Sequence, residues 1–579
     1  MTQPFSIMRI LFVPILILGL FHFGFSQQFY KGVDLSYVNE LEDCGTSYFD
    51  ESGNQTDAYD LFNAKGANLV RLRLWHNPTW TNYSNLADIK KSIVRAKEKG
   101  LEVLLDFHYS DFWTDPGRNW RPAAWEGIDD DKILGDSLYQ YTMRTLQSLY
   151  RDNLLPEILQ IGNETNGNIL IKMGSANIDG SSPGLYPINW QRQSMLFNRA
   201  LDAVDDFEAS TQTDLKTVLH VAEPNSIDSW FSSASQNDLT NFDIIGISYY
   251  PQYHDFDVRE VGEKVAEIKS KFQKEVMIVE IGYPWTTQSS GDAANNILGA
   301  GSKLATYDSF SPTVQAEFLT ELSWLVKENG GMGVIYWEPA WVSSSCKTYW
   351  GTGSHYENAT FFDFDNMMHE GANFLSYDYE QKPIGLLDQE VIFQVNMKGV
   401  EDIQGVYVTG DFTGQPWQFV TMSDQGNDLF QVTANIQGRS SGAYVFYKKD
   451  DWAIEWRETV PSNCASYWET HRSLIVKDEP LELDFAWNSC DQQVIKPDKP
   501  LFFLTVDQLE VYPNPTRGKL IINSNEKLNA PKLYDALGNE YMIKITNGDT
   551  YDISHLGVGL YLLQIQGAAE MHTIKIIKE

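Results

Sequence analysis

The sequence predicts an α/β fold, a (β/α)8 TIM barrel, followed by two small all-β sandwich domains. Eight short apolar segments alternate with amphipathic helical patterns from Tyr30 to about Leu387, which indicates a barrel spanning residues 27–387. Period-2 alternation then predicts a β-sandwich at residues 388–492. A linker at 493–508 leads to a second β-rich segment at 509–579. A chain of 579 residues is long enough for several hydrophobic cores.

Residues 1–26 are predicted to be a signal peptide. A weakly basic start at Arg9 is followed by a short apolar run, which ends in the small residues Gly24 and Ser26. The run is too short to span a membrane comfortably. We therefore expect no transmembrane anchor and a protein that is secreted or held at the cell surface.

The eight predicted barrel strands are FYKGVDL, LVRLRLW, LEVLLDF, EILQIGN, KTVLHV, DIIGISYY, VMIVEIG and GVIYWEP. Amphipathic stretches such as ADIKKSIVRAKEKG lie between several of them. A doubly wound open sheet is the alternative fold, but a count of eight strands favours the closed barrel.

The two C-terminal segments are β-rich but do not resemble each other. The first contains VIFQVNM, GVYVTGDF, LFQVTANI, AYVFYKK and LELDFAW, separated by Gly- and Asp-containing turns, which is typical of an antiparallel sandwich. The last runs from LEVYPNPTRGKLIINS to the C-terminus and also predicts a small sandwich.

Composition narrows the class of partner. The formal charge of −34 argues against nucleic acid or anionic membrane, because both need a basic surface. Aromatic residues make up 13 % of the chain. They suit either large cores or stacking platforms for sugars. No exposed apolar stripe is evident, so we expect a monomer.

Four cysteines suit an exported protein. Cys464 and Cys490 lie in one segment and are predicted to pair. Cys44 follows the first barrel strand and Cys346 follows the last. These strands are neighbours where a barrel closes, so a Cys44–Cys346 disulfide is predicted, with two free buried thiols as the alternative.

Polar residues collect at or just past the ends of the predicted barrel strands. They are Asp34, Arg71, Arg73, Asp106, His108, Asn163, Glu164, His220, Tyr249, Tyr250, Glu280, Trp337 and Glu338. The loops at the C-terminal ends of barrel strands build the active site in this architecture. Any one of these residues is equally well explained by a structural salt bridge, but the whole set predicts a site.

Two carboxyl groups stand out in that set. Glu164 ends the fourth predicted strand and Glu280 ends the seventh. Cleavage of a glycosidic bond needs one acid to protonate the leaving oxygen and one carboxylate at the anomeric carbon. The acid needs a raised pKa and the nucleophile a low pKa. We predict that Arg71 or Arg73 keeps Glu280 ionised and that Tyr249 donates a hydrogen bond to it.

Six segments carry a resemblance to a known family. KGVDLSYVNELEDCG, GANLVRLRLWHNP, LLDFHYSDFWTDPG, LQIGNETNG, GISYYPQYH and VIYWEPAWV resemble the arabinogalactan endo-β-1,4-galactanase family of retaining (β/α)8 glycoside hydrolases, glycoside hydrolase family 53. The resemblance is collinear from Tyr30 to Leu387. It implies Glu164 as general acid/base, Glu280 as nucleophile, and internal cleavage of the β-1,4-galactan of pectic arabinogalactan type I. Asn163, Arg73, Asp106, His108, Tyr249 and Trp337 are predicted to bind substrate.

The family resemblance requires no cofactor, although some members hold a calcium ion in the loop after the seventh strand. Asp292 and Asn296 stand at suitable positions here, but Ser290 and Ala294 stand where stronger oxygen ligands are expected. No metal is therefore assigned. Trp75, Trp113, Trp285 and Trp341 are candidates for sugar stacking, although a single Trp more often packs a loop.

The two C-terminal segments also resemble known modules. The first looks like a starch-binding-type sandwich, in which Trp417, Trp452 and Trp456 stack on a glycan, and a spacer with an aromatic core is the alternative. The last, with VYPNPTRGKL, DALG and GLYLLQIQ, resembles the C-terminal sorting domain of type IX secretion, which implies that secretion machinery as a partner. An adhesive sandwich is the alternative.

Two other functions remain open from sequence. The same clan includes endo-glycosidases that act on other β-glycans such as mannan or cellulose. A catalytically inactive glycan-binding surface protein is the alternative from a different class, but it would require loss of one carboxylate, and both are present.

Overall fold

A computed structural model of the chain describes residues 28–490 and most of 510–578. Residues 175–183, 292–295, 349 and 466–469 fall outside the described part of the first range, as do 513–515, 517, 524–530, 536–539, 542, 548–549, 558 and 567–570 of the second. The predicted signal peptide (1–26) and linker (493–508) also lie outside the described residues. The chain divides into two compact units, Met1–Gln492 and Gln493–Glu579.

Eight parallel strands close into a barrel, as the sequence predicts. They are β1 (Tyr30–Asp34), β2 (Leu69–Leu74), β3 (Glu102–Phe107), β4 (Ile158–Ile161), β5 (Lys216–Ala222), β6 (Ile244–Tyr249), β7 (Glu275–Ile281) and β8 (Gly333–Tyr336). Each strand pairs with its sequence neighbour, and β1 pairs with β8 to close the ring. The alternative open sheet is therefore wrong.

Helices surround the barrel. They are α1 (Val38–Asp43), α2 (Ala58–Lys65), α3 (Leu86–Glu98), α4 (Asp131–Arg151), α5 (Trp190–Thr211), α6 (Pro224–Gln236), α7 (Val258–Phe272) and α8 (Pro312–Glu328). After β8, a 3-10 helix at Glu370–Ser376 packs against α8 and α2. It occupies the place where an α-helix would complete the outer ring.

The barrel interior is apolar towards the N-terminal ends of the strands and polar towards their C-terminal ends. The lower layer holds Leu69, Leu104, Ile158, Val218, Ile244, Met277, Val279 and Ile335, all essentially inaccessible to solvent. Because inward residues alternate along a strand, two further steps along β2 and β3 reach Arg71 and Asp106. The polar layer therefore forms directly above a close-packed apolar floor.

The segment after the barrel folds as the predicted β-sandwich. Its strands are β9 (Asp388–Asn396), β10 (Tyr407–Gly410), β11 (Val420–Thr421), β12 (Ser423–Gly426), β13 (Leu429–Gln437), β14 (Ser440–Tyr447), β15 (Arg472–Val476) and β16 (Leu481–Ala486). One sheet has the order β12-β13-β9-β16 and the other β11-β10-β14-β15. β9 pairs with β16 in parallel, so the sandwich is not purely antiparallel.

Both predicted disulfides form. Cys44 and Cys346 join the loops after β1 and β8 across the barrel closure. Cys464 and Cys490 join two loops of the sandwich. The alternative of free buried thiols is therefore wrong.

The second unit is a small β-sandwich with its own core. Its strands are β17 (Glu510–Tyr512), β18 (Lys519–Asn523), β19 (Lys532–Asp535), β20 (Glu540–Tyr541), β21 (Lys544–Asn547), β22 (Thr550–Asp552), β23 (Gly559–Gln566) and β24 (Met571–Lys578). They form two four-stranded sheets around residues such as Leu520, Leu533 and Leu563. Within the residues that the structure describes, no helix is long and apolar enough to cross a membrane.

Candidate active site

A cleft of about 480 Å³ opens at the C-terminal ends of the barrel strands. Its lining includes Glu164 and Glu280, together with Arg71, Arg73, His108, Trp113, Asn163, Tyr250, Tyr253, His254, Trp337, Trp341, Trp350 and His355. Both predicted catalytic carboxyl groups therefore face one cavity. The C-terminal rim is the end at which barrel enzymes place their chemistry.

Arg71 is the cation at the centre of the polar layer. Its guanidinium lies 2.8 Å from Asp34 Oδ2, 2.9 Å from Asp106 Oδ2 and 2.8 Å from Glu280 Oε1. It is 1 % exposed, so water does not screen these charges. Three carboxyl groups, on β1, β3 and β7, thus share one buried positive charge.

Glu280 is held through both carboxylate oxygens. Arg71 binds Oε1, and the Tyr250 hydroxyl donates to Oε2 at 3.1 Å. Burial raises the pKa of Glu280 to about 7, although Arg71 and Tyr250 pull it down. The predicted low pKa is therefore wrong, because the cost of burying the carboxylate exceeds the attraction of the shared arginine.

Glu164 has a different environment. Its Oε1 accepts a hydrogen bond from Ser248 Oγ at 2.7 Å, and no described residue forms an ion pair with it. Burial and the negative charge of Glu280 raise its pKa well above the usual range. Glu164 has a φ of 44°, a left-handed conformation that turns its side chain out of the β4 strand path. Glu164 therefore holds its proton more tightly than Glu280 does.

A neutral histidine orients this acid. His220 Nε2 lies 2.8 Å from Ser248 Oγ, and Nδ1 lies 3.3 Å from the Glu164 backbone N–H. Because Ser248 donates to Glu164 and the Glu164 N–H donates to Nδ1, the consistent tautomer carries its proton on Nε2. Burial lowers the pKa of His220 well below its usual range, so the ring stays neutral.

Asn163, next to Glu164 in sequence, shares the donor Arg71 with Glu280. Its Oδ1 accepts from Arg71 at 2.8 Å, and its Nδ2 donates to the Thr114 carbonyl at 2.8 Å. These two bonds leave one amide N–H over. Asn163 also lines the cleft, and its contact with substrate stays a prediction.

Arg73 and His108 also lie where they are predicted. Arg73 pairs with Glu338 at 3.2 Å, and its guanidinium carbon lies 4.0 Å from the centroid of the Trp113 ring. His108 Nε2 lies 3.0 Å from Asp106 Oδ2, while Nδ1 accepts from Thr114. Both side chains line the cleft.

Two predicted substrate contacts are wrong. Tyr249 is fully buried outside the barrel, and its hydroxyl donates to the Phe256 carbonyl at 2.6 Å, so Tyr250 holds Glu280 instead. Asp106 is fully buried beneath the cleft and bonds to Arg71 and His108, so it positions those residues rather than touching substrate.

The aromatic lining differs in part from the prediction. Trp337, Trp113 and Trp341 line the cleft. Trp75 does not reach the surface, and Trp285 packs against Phe364 and His369. Sequence reasoning missed several residues on loops between predicted strands, where no periodicity marks them: Tyr253, His254, Ile297, Leu298, Trp350 and His355.

The loop that holds the weak metal candidates Asp292 and Asn296 is described only in part. Asp292 lies outside the described residues. Asn296 Nδ2 donates to the Gln288 carbonyl at 3.0 Å. No group of three or more His, Cys, Asp or Glu side chains suited to a metal occurs in the described part of the chain.

In the first sandwich, Trp452 is 53 % exposed and stacks on Phe419 with ring centroids 4.1 Å apart. Trp417 and Trp456 are partly buried against the cluster around Val445 and Tyr447. Glycan binding by this module stays a prediction.

Comparison with family models gives two matches. Residues 30–375 match glycosyl hydrolase family 53. Residues 510–579 match the secretion system C-terminal sorting domain.

Individual relatives agree with the first match. An arabinogalactan endo-β-1,4-galactanase of Cellvibrio japonicus is 48 % identical over 335 residues, covering 58 % of this chain and 86 % of the relative. An endo-β-1,4-galactanase of Bacillus subtilis is 29 % identical, covering 56 % and 73 %. The solved catalytic domain of a family 53 protein from Ignisphaera aggregans superposes with a TM-score of 0.53 at 28 % identity, covering 61 % of this chain and 98 % of that one.

Proposed function

The chain belongs to glycosyl hydrolase family 53, and from this premise we propose that it is an exported endo-hydrolase of β-1,4-galactan that retains anomeric configuration. The observation that carries the proposal is the placement of Glu164 and Glu280 in one cleft with unlike partners. Two carboxyl groups with separate proton affinities are what glycoside hydrolysis requires. The named relatives supply the substrate class.

In the first step, the Glu280 carboxylate attacks the anomeric carbon while Glu164 gives its proton to the departing glycosidic oxygen. The bond to the leaving sugar breaks, and an ester to Glu280 forms. Arg71 and Tyr250 hold the two Glu280 oxygens, so the attacking group is oriented before substrate arrives.

In the second step, Glu164 accepts a proton from water as that water attacks the anomeric carbon. The ester bond breaks, and Glu280 leaves as a carboxylate balanced again by Arg71. Ser248 and His220 keep Glu164 aimed at the same point through both steps. The remaining N–H of Asn163 is the donor for the sugar 2-hydroxyl, a contact that strengthens in the transition state.

The last segment of the chain indicates where the protein is delivered. A secretion system C-terminal sorting domain at residues 510–579 belongs to a protein exported by the type IX route to the surface or the medium. A polymeric substrate such as galactan is met outside the cell, which agrees with delivery to the surface or the medium.

The test is release of reducing ends from linear β-1,4-galactan, beside mannan, cellulose and arabinan. We expect release from galactan alone. Glu280→Gln should abolish it. Glu275→Gln is the matched control, because Glu275 lies at the opposite end of the same strand and pairs with Lys269. Preferential cleavage of another glycan would overturn the substrate assignment.

Retention is tested separately by following the anomeric proton signals of the first products. Retention predicts that the β-anomer appears first and then equilibrates. Initial formation of the α-anomer would mean that Glu280 activates water instead of attacking the sugar.

A further inference from the structure

The turn that links β13 in one sheet of the sandwich to β14 in the other carries a buried arginine. β13 ends at Gln437 and β14 begins at Ser440, so Gly438 and Arg439 form the turn. Arg439 has a φ of 59°, in the left-handed region, and it is only 4 % exposed. A buried charge is costly unless it is paired and hydrogen-bonded.

Apart from Asp478 of the sandwich, 3.2 Å from Nη2, those partners belong to the barrel. Arg439 Nε lies 3.2 Å from Glu321 Oε2 on α8, and Nη1 donates to the Thr306 carbonyl at 2.7 Å. The guanidinium carbon lies 4.3 Å from the centroid of the Tyr307 ring. The β13–β14 turn is therefore joined to α8 and to the loop residues 296–311 that precede it.

Ser441 makes a second contact beside the first. Its Oγ and its backbone N–H donate to Asp257 Oδ2 at 2.8 and 3.1 Å. Asp257 Oδ1 accepts from the Glu260 N–H at 2.8 Å and so caps α7. Asp257 closes the loop at residues 250–257, which leaves β6.

These two loops form one wall of the cleft. In the first, Tyr250 donates to the nucleophile Glu280 at 3.1 Å, and Tyr253 lines the cavity. In the second, Ile297 lines the same cavity. The Tyr253 hydroxyl donates to the Ile297 carbonyl at 2.9 Å, which ties the two loops together.

The sandwich and the barrel are in close backbone contact. A Cβ at Gly385, just before β9, would lie 1.9 Å from Glu321 Oε1. A Cβ at Gly438 would lie 2.2 Å from the Gly385 carbonyl oxygen. The backbone therefore packs directly on the Arg439–Glu321 pair.

We propose that the sandwich is a positioning element of the catalytic unit: Arg439 and Ser441 hold the two loops that place Tyr250 and form one wall of the cleft. The inference rests on the proposed function where hydrolysis is measured. It assigns to the sandwich a task that does not depend on whether the module binds a glycan.

The test uses the full chain with Arg439→Met, Ser441→Ala and Ser441→Thr, the last of which keeps the hydroxyl. We expect kcat/KM on galactan to fall about tenfold to a hundredfold in Arg439→Met, because small displacements at a site are costly. We expect a smaller fall in Ser441→Ala and recovery in Ser441→Thr. The acid limb of the pH profile should move to higher pH as the Tyr250 bond to Glu280 weakens.

The matched control is Lys477→Met. It removes an exposed ion pair with Asp308 at the same interface and should leave kcat/KM and the acid limb unchanged. If the Ser441→Ala variant folds and matches wild type in both kcat/KM and the acid limb of the pH profile, the inference is overturned. This holds even if Arg439→Met fails to fold.

Hydrogen–deuterium exchange gives a readout that needs no substrate. Amides of residues 250–257 should exchange faster in Arg439→Met and Ser441→Ala than in wild type, and unchanged exchange would also count against the inference. If the proposed function is wrong, the wild-type protein fails to cleave galactan in the glycan test. If this inference is wrong, the variants and the wild type behave alike.

Discussion

At the scale of single residues, proton placement follows from unequal partners. Glu280 accepts from Arg71 and Tyr250, whereas Glu164 accepts from the neutral Ser248 hydroxyl. Two neighbouring carboxyl groups in one cleft do not both ionise readily, so a single proton resides on Glu164. The form with Glu280 ionised and Glu164 protonated is the one that starts the reaction.

We expect Glu164→Gln to lower kcat on galactan by about 10²- to 10⁴-fold, because the leaving sugar then receives no proton. A substrate with a nitrophenol leaving group needs no such proton. Its first-step rate should persist in the variant, and the basic limb of its pH profile should disappear. Stopped-flow measurement of nitrophenol release checks both points, and equal losses on the two substrates would contradict the assignment.

Activity should rise with pH as Glu280 ionises, so the acid limb of kcat/KM reports its pKa of about 7. Tyr250→Phe removes a hydrogen bond to the charged form. The pKa then rises, and the limb should move up by about one pH unit. Tyr249→Phe, which removes a bond to Phe256 O, should move it less. An equal shift in the two variants would contradict the pairing of Tyr250 with Glu280.

At the scale of elements, strand alternation accounts for which predictions succeed. Counting in twos along β6 from Gly246 places Ser248 and Tyr250 inside the barrel and Tyr249 outside. Alternation could therefore have identified the correct tyrosine. The pairing of β6 with β7 shifts register: Ile247 lies opposite Ile278, but Ser248 lies opposite Glu280. This irregularity breaks the alternation along β7, so Glu280 points inward.

Loop residues follow no such rule. The eight strand ends and both carboxyl groups are predictable, because apolar runs and their polar ends mark them in the sequence. Both disulfides are predictable from where the four cysteines lie along the chain. Trp350 and Tyr253 reach the cleft through loops whose path depends on tertiary contacts, such as the bond from Tyr253 to the Ile297 carbonyl. Nothing in local sequence encodes that contact.

The Cys44–Cys346 bond ties the loop after β1 to the loop after β8 across 302 residues of chain. Replacing both cysteines by Ser should lower the free energy of unfolding by about 2–5 kcal/mol, because a long loop of the unfolded chain is released. Scanning calorimetry measures the accompanying fall in the melting temperature.

The control for that experiment is the Cys464→Ser/Cys490→Ser pair. It opens a bond that spans only 26 residues and should cost less. A larger loss from the sandwich bond would contradict the loop-length explanation.

At the scale of the whole molecule, the chain separates into a catalytic unit ending at Gln492 and a sorting unit. The barrel and first sandwich share buried contacts through Arg439, while the last domain has a core of its own. Catalysis and export are therefore assigned to different units.

Deletion of residues 493–579 should leave kcat/KM on galactan unchanged and abolish delivery to the medium or cell surface. Activity in the medium, at the surface and in lysed cells of a host with the type IX machinery checks this expectation. Continued export of the shortened chain would contradict the role of the sorting domain.

The glycine at position 385 limits how this enzyme can be recombined. Because its missing side chain lets the backbone lie against Glu321, a foreign module grafted after Leu387 inherits a junction shaped for the β13–β14 turn of this sandwich. Chimeras that exchange only the sandwich would leave Glu321 buried opposite no arginine. Successful module exchange in this chain therefore requires transplanting the β13–β14 turn together with the α8 surface that receives it.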